Sequence, residues 1–368
     1  MRQEISPEQV RRYRMLAQRL HPRADTGVAQ LVRGLGGIQA QDRSAAMLAI
    51  RARSRGLVAD DVRRAREVER SVVLTWAMRG TMHLVAAEDV GWLLALLGSL
   101  FIAKNQRRYR ELGLDGEVRA RATQIIREAL AARNPQTRPE LAAVLAAQGI
   151  PIEGQAIAHL VRHAALEGVI CFGPQSGTTP TYVLLDDWVG LGPSLDVGHA
   201  LRELARRYVG AYGPATADDL ASWSGLRMAQ AHAGMQSIAN ELVEVRVGGS
   251  PAWMLPQSKA PPAKRSVRLL PSYDTYMLGY RRRDLIVAAP HASRVHPGGG
   301  QIKPTLVVDG RVRGIWRASR RRGAMTIAVE PFEPLETDLL PALEDEAADV
   351  GRFLGVGVEL DVACTEPR

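Results

Sequence analysis

TRPELAAVLAAQGIPIEGQAIAHLVRHAALEGVICFGPQSGTTPTYVLL, residues 137–185, holds two helices and a strand pair in a fixed order. Thr137 is placed to cap the first helix, with Pro139 and Glu140 in its first turn and Gly149 as its stop. In GQAIAHLVRHAALEG, apolar residues at 157, 160, 161, 164 and 165 form a helical stripe. VICFG and TYVLL read as strands joined by the loop PQSGTTP. Just upstream, VRARATQIIREALAAR supplies another helix, ended by Asn134-Pro135. Three helices followed by a β-hairpin are the pattern of a winged helix.

The pattern recurs on both sides. Downstream, HALRELARRYVGAYG, TADDLASWSG with Thr216 as N-cap, and RMAQAHAGMQSIAN precede VEVRV and PAWMLP, with Gly248-Gly249-Ser250 as the tip. Upstream, PEQVRRYRMLAQRL, TGVAQLVRGLG and QDRSAAMLAIRARS read as helices. VADDVRRAREVE adds a helix, and SVVLTWAMRGTMHLVA gives strands around Arg79-Gly80. From Pro261 the texture becomes strand-rich. RSVRLLPSYD, LIVAAP, KPTLVVDGRVRGIWRAS and AMTIAVEP read as strands, with Asp309-Gly310 and Arg322-Gly323 as hairpin turns. The acidic helix LETDLLPALEDEAADVGRFLG and the strand VGVELDV follow. The expected fold is α+β: tandem winged-helix units followed by a small β-barrel-like C-terminal domain. The expected domains are 1–117, 118–190, 191–260 and 261–368, with KAPPAK at 259–264 as a boundary.

The chain has 368 residues, is 46% hydrophobic and 24% charged, and so reads as an ordinary globular protein. No apolar run reaches the roughly 18 residues of a membrane span. The N-terminus lacks the apolar core of a secretory signal, which points to the cytoplasm. Cys171 and Cys364 make neither a disulfide framework nor a zinc set. The net charge is +9 and the pI about 10. Such a balance favours a polyanionic partner.

A DNA-binding regulator is one reading of winged helices and positive charge. Against it, the helices at 154–168 and 227–240 are rich in Ala and poor in the Arg, Lys, Asn and Gln that read base edges. His159 and His163 are spaced as metal ligands on a helix, but no third ligand is near in sequence, and packing is the simpler reading. No Walker, Rossmann or GxSxG motif is present. Gly298-Gly299-Gly300 reads as a loop tip. No cofactor and no metal are expected.

GGIQAQD, residues 36–42, raises a different possibility. Gln39 and Gln41 diverge on a helix but share a side in an extended segment. The glycines favour an extended entry, and Asp42 or Ser44 can cap the helix that follows. By spacing alone, the pair reads first as an exposed polar elbow. Two amides could hold a water and orient a substrate, which suffices when the leaving group is already activated. A purine alkylated at N7 is such a group: its cationic ring leaves toward an oxocarbenium-like sugar without further protonation. In TWAMRGTMHLVAAED, Arg79 and His83 flank a tight turn. They read either as a wing with a basic tip or as a phosphate contact with a group near the reacting sugar. Trp76 and Trp92 are the aromatics nearest these segments in sequence.

The QAQ arm, the TWAMRGTMHL block, LLPSYDTYMLGYRRR and KPTLVVDGRVRGIWR occur in this order over most of the chain. Together they resemble the bacterial AlkZ/YcaQ winged-helix DNA glycosylases. The resemblance implies a monofunctional glycosylase that releases N7-alkylated guanine from double-stranded DNA. It extends to bulky natural-product adducts or interstrand crosslinks, as in antibiotic self-resistance, and the enzyme is expected to be a monomer. Family catalytic positions fall on Gln39 and Gln41, the Gln-x-Gln form of the AlkZ branch. Asp42 is expected to cap and not to act as base. DNA contacts are expected from Arg79, His83, Arg281, Arg282, Arg294 and His296. A groove-entering β-hairpin is matched by position to HASRVHPGGG, 291–300.

Overall fold

The computed structural model describes residues 3–190, 192, 195–256, 265–321 and 324–363. The expected boundary at 259–264 and the expected turn at Arg322-Gly323 lie outside the described residues. The first segment runs β1 (Gln3–Glu4), α1 (Pro7–Ala17), α2 (Val28–Gly34), β2 (Ile38–Gln39), α3 (Arg43–Arg53) and α4 (Ala59–Glu67). Next come β3 (Val72–Trp76), β4 (Met82–Ala86), α5 (Ala87–Lys104), α6 (Gln106–Glu111), α7 (Gly116–Ala132), β5 (Gln136–Thr137), α8 (Arg138–Ala147), α9 (Ala156–Leu166), β6 (Ile170–Phe172), β7 (Thr181–Leu184) and α10 (Leu185–Val189). Then follow α11 (Val197–Tyr212), α12 (Ala217–Ser224), α13 (Met228–Ser237), β8 (Val243–Val247) and β9 (Ser250–Met254). The C-terminal part holds β10 (Val267–Leu270), α14 (Thr275–Leu278), α15 (Ala292–Val295), β11 (Thr305–Val308), β12 (Arg311–Arg321), β13 (Ala324–Pro331), α16 (Leu340–Leu354) and β14 (Val358–Val362). The architecture is α+β. Met1–Val62 with Arg202–Arg368 forms one compact unit, and Arg63–Leu201 forms another.

In the unit Arg63–Leu201, α7, α8 and α9 precede the β6–β7 hairpin. Thr137 caps α8: its hydroxyl accepts the Glu140 N–H, and its own N–H donates to the Glu140 carboxylate, as its sequence implies. The hairpins β3–β4 and β6–β7 join side by side through Leu74 and Phe172, and β5 adds to β7. α5 is apolar on most sides and largely buried. It runs so close to the end of α9 that a Cβ on Gly98 would clash with the Leu166 carbonyl.

In the other unit, β10 to β14 form one sheet in sequence order, a half-barrel. Neighbours are antiparallel except β13 and β14, which run parallel. Leu269, Leu306, Trp316, Ile327 and Val329 of this sheet pack on Leu343, Ala347 and Val350 of α16. The turn at Asp309-Gly310 has φ of +49° and +77°, as its sequence predicts. β1 pairs in parallel with β8, a strand too short to show any periodicity in sequence.

Two strand expectations fail. LIVAAP forms a turn and then a short 3₁₀ segment, Ala289–His291. Its Ile286 and Val287 N–H groups bond back to the Arg283 carbonyl, at 2.9 and 2.7 Å, and so are not free to join a sheet. HASRVHPGGG is no hairpin: it contains α15, after which Gly298, Gly299 and Gly300 all take positive φ. The long C-terminal hairpin is β12–β13. Among the described residues, no helix is long and apolar enough to cross a membrane.

Candidate functional site

Gln39 and Gln41 lie on an arm between α2 and α3. Gly36 and Gly37 have φ of +67° and +111°, values that L side chains rarely adopt. They turn the chain from α2 into β2, where Ile38 and Gln39 are extended and buried. Gln41 is exposed. Asp42 is the N-cap of α3, and its Oδ1 accepts the Ala45 N–H at 3.0 Å. The expected cap is therefore formed, and the carboxylate is engaged at the helix end.

α3 is anchored at its far end by two fully buried arginines. Arg53 makes a bidentate pair with Asp274, both bonds at 2.7 Å, and reaches Gln18 and Thr275 at 2.9 Å each. Arg51 reaches Glu346 at 2.9 Å and the Leu269 carbonyl at 2.6 Å. Removing one partner of such a buried pair typically costs about 3–5 kcal/mol. Asp274 and Thr275 come from the LLPSYDTYMLGYRRR segment, whose role is thus partly to hold the helix behind the amide pair.

Behind the arm sits an aromatic cluster that the sequence reading missed. In a chain only 5% aromatic, Tyr208, Tyr212, Trp223, Tyr276 and Tyr280 converge here. Each is at most 1% exposed. The Tyr212 hydroxyl donates to the Leu35 carbonyl at 3.2 Å. The available signal was spacing, since Tyr208 and Tyr212, and Tyr276 and Tyr280, are each four apart.

In the other unit, Arg79 sits at the turn between β3 and β4 with φ of +55° and is half-buried. His83 faces Thr75 across the ladder and is 2% exposed. Burial, then the charge of Arg79, pushes its pKa down to about 3. Its Nδ1 lies 2.9 Å from the Thr81 carbonyl, which fixes the Nδ1–H tautomer of a neutral ring. His159 and His163 both stand edge-on to the buried Tyr109, the packing role expected of them.

The remaining sequence candidates lie elsewhere. Arg281 pairs with Asp218 and donates its backbone N–H to Asp219 at 2.9 Å; Arg282 is exposed. Arg294 pairs with Glu330 and lies 4.3 Å over the Phe332 ring. His296 is half-buried, with its pKa lowered by burial and then by Arg283. On the β12–β13 hairpin, Arg317 and Arg320 are exposed. The run RASRRR was the sequence signal for them.

The amide pair offers hydrogen-bond donors and acceptors and no titrating group. Such a site can orient a water and a polar substrate. It has no means of protonating a poor leaving group.

The family described as DNA glycosylase AlkZ-like matches residues 32–353. An interstrand DNA cross-link repair glycosylase of Streptomyces sahachiroi is 31% identical over 368 residues, spanning 96% of this chain and 98% of that protein. The solved structure of Streptomyces sahachiroi DNA glycosylase AlkZ aligns with a TM-score of 0.85 at 29% identity, covering 98% of this chain and 100% of that one.

Proposed function

The chain belongs to the AlkZ-like DNA glycosylase family and is a hydrolase of N-glycosyl bonds in DNA, and from that premise we propose that it releases N7-alkylated guanine, including bulky adducts and interstrand crosslinks. The observation that carries this reading is the arm itself: a buried and an exposed glutamine beside a carboxylate already engaged as a helix cap. An N7-alkylguanine is a cation and needs no acid to depart. Gln39 and Gln41 hold the attacking water and stabilise the developing charge on the sugar. The relative's name, which specifies cross-link repair, agrees with a substrate too large to be swallowed whole.

The segments 118–190 and 191–260 act as winged helices, with a similar unit in 1–117 and the strand-rich part from 261 as a fourth element. The protein works as a monomer in the cytoplasm on double-stranded DNA. Arg79, Arg281, Arg282, Arg294 and His296 contact the duplex, and His83 supports the Arg79 turn as a neutral ring. The groove-entering hairpin is β12–β13 and not residues 291–300. The enzyme is monofunctional: a Schiff base needs an amine, and the arm itself carries glutamines and none of the chain's four lysines, Lys104, Lys259, Lys264 and Lys303.

The test is excision on two duplexes, one with a single N7-methylguanine and one with a nitrogen-mustard crosslink. Abasic sites on both, without borohydride-trappable adducts, are expected. A sequence-specific footprint on undamaged DNA with no excision would instead identify a regulator.

A further inference from the structure

An amide that neither ionises nor forms a covalent bond contributes through placement alone. Misplacing a reacting group by about 1 Å can cost on the order of a hundredfold in rate. Yet the arm that carries Gln39 and Gln41 has only two residues of regular strand, Ile38 and Gln39. Contacts to the residues just before that strand therefore bear on where the amides point.

The aromatic cluster meets the arm at two points. Tyr212 donates its hydroxyl to the Leu35 carbonyl at 3.2 Å. At Gly36, an added Cβ would stand 3.1 Å from Trp223 Cη2 and 3.4 Å from its Cζ2, so the indole's outer edge closes directly on the turn. These rings are themselves locked. Tyr208 stacks on Tyr212 with centroids 5.0 Å apart, and Trp223 lies 5.2 and 5.3 Å from the two. Tyr208 donates to the Gly279 carbonyl at 2.7 Å, and Tyr280 donates to the Tyr212 carbonyl at 3.0 Å. Arg14 lies 3.6 Å over the Tyr280 ring and donates to the Pro214 carbonyl at 3.1 Å. Burial raises the pKa values of Tyr208 and Tyr280, which keeps both hydroxyls as donors.

We propose that Tyr212 and Trp223 are positioning residues of the glycosylase, setting the backbone of Leu35 and Gly36 and through it the reach of Gln39 and Gln41. The inference rests on the reading of that glutamine pair as catalytic. A cluster that merely stabilises the core would, when weakened, lower melting temperature and DNA binding. A positioning cluster lowers the rate of the chemical step while binding is kept.

The test measures single-turnover excision and duplex affinity on DNA with one N7-methylguanine, or one nitrogen-mustard crosslink if only bulky adducts are released. Tyr212→Phe removes a single hydroxyl and keeps the stacked ring. The rate should fall about tenfold with affinity unchanged. Trp223→Phe loses the indole edge that faces Gly36 and should lower the rate further. In a Gln39→Ala, Gln41→Ala background, Tyr212→Phe should have no added effect, because coupled residues are not additive. Wild-type rate in Tyr212→Phe overturns the proposal, whether or not Trp223→Phe folds. An equal fold-loss with and without the glutamines also overturns it. Wild-type rates in both single glutamine variants would remove the pair reading and this inference with it; loss there with normal Tyr212→Phe turnover removes this inference alone.

Discussion

Two tight turns carry the Gln39–Gln41 pair and the Arg79–His83 pair, and they are built in opposite ways. The arm at Gly36-Gly37 leads from α2 through the short β2 into α3, and it leaves Gln41 exposed. The turn at Arg79-Gly80 joins two antiparallel strands, and it seals His83 inside the ladder. Both use positive φ at their apex. The arm presents groups that never titrate near neutrality. The turn holds a group that ordinarily would, and burial has silenced it. Neither therefore supplies a proton near neutral pH. That agrees with the proposed release of an already charged base, in which geometry would be the main contribution of the protein.

The sharpest way to break this contrast is to exchange the importance of the two turns. Gln41→Ala should lower the single-turnover rate by about a hundredfold or more, with duplex affinity nearly intact. Gln39→Ala should act in the same direction. His83→Gln should retain most of the rate. A dead His83→Gln beside a fully active Gln41→Ala would move the chemistry to the other turn.

A second measurement sharpens the contrast through pH. With a folded pKa of about 3 for His83, the folded state binds fewer protons there than the unfolded chain, whose histidine has a pKa of about 6.5. Stability from this group is therefore present above about pH 6.5 and is lost as pH falls toward 3. In chemical denaturation, His83 should contribute up to about one proton taken up on unfolding to the pH dependence of wild-type stability across that window. His83→Gln should flatten the curve by that amount. Identical curves would show that His83 titrates normally.

Much of this was legible beforehand. The caps at Thr137, Thr216 and Asp42 are local, and local chemistry reads well from sequence. The Asp309-Gly310 turn and the helices of the middle repeat have the same character. What was hidden is what depends on distant segments. Ile286 and Val287 look like strand residues, but their N–H groups bond to Arg283. Trp76 and Trp92 were the aromatics nearest the proposed site in sequence. The rings on the arm are Tyr212 and Trp223, roughly 175 residues or more away along the chain. Nothing local marks Arg51 and Arg53 as interior residues, and both are fully buried against partners from 269 to 346. The groove-entering hairpin was matched by position alone to HASRVHPGGG, 291–300, and position in the chain does not report pairing. The long paired strands lie instead at Arg311–Arg321 and Ala324–Pro331.

The smallest expected effect belongs to that hairpin, and it extends the contrast from chemistry to binding. Arg317 and Arg320 are exposed on β12, away from any turn that holds the amides or His83 in sequence. If the hairpin follows a DNA groove, each guanidinium neutralises a phosphate and releases condensed counterions. Arg317→Ala and Arg320→Ala should then each weaken binding to undamaged duplex by a few-fold. The slope of log affinity against log salt should shrink by about one for each contact removed. The rate of excision at saturating protein should not change, because the arm is untouched. A lowered slope with a normal rate separates binding from catalysis. An unchanged slope in both variants would take the hairpin off the DNA, leaving Arg79, Arg281, Arg282, Arg294 and His296 as the remaining candidates for the contact surface.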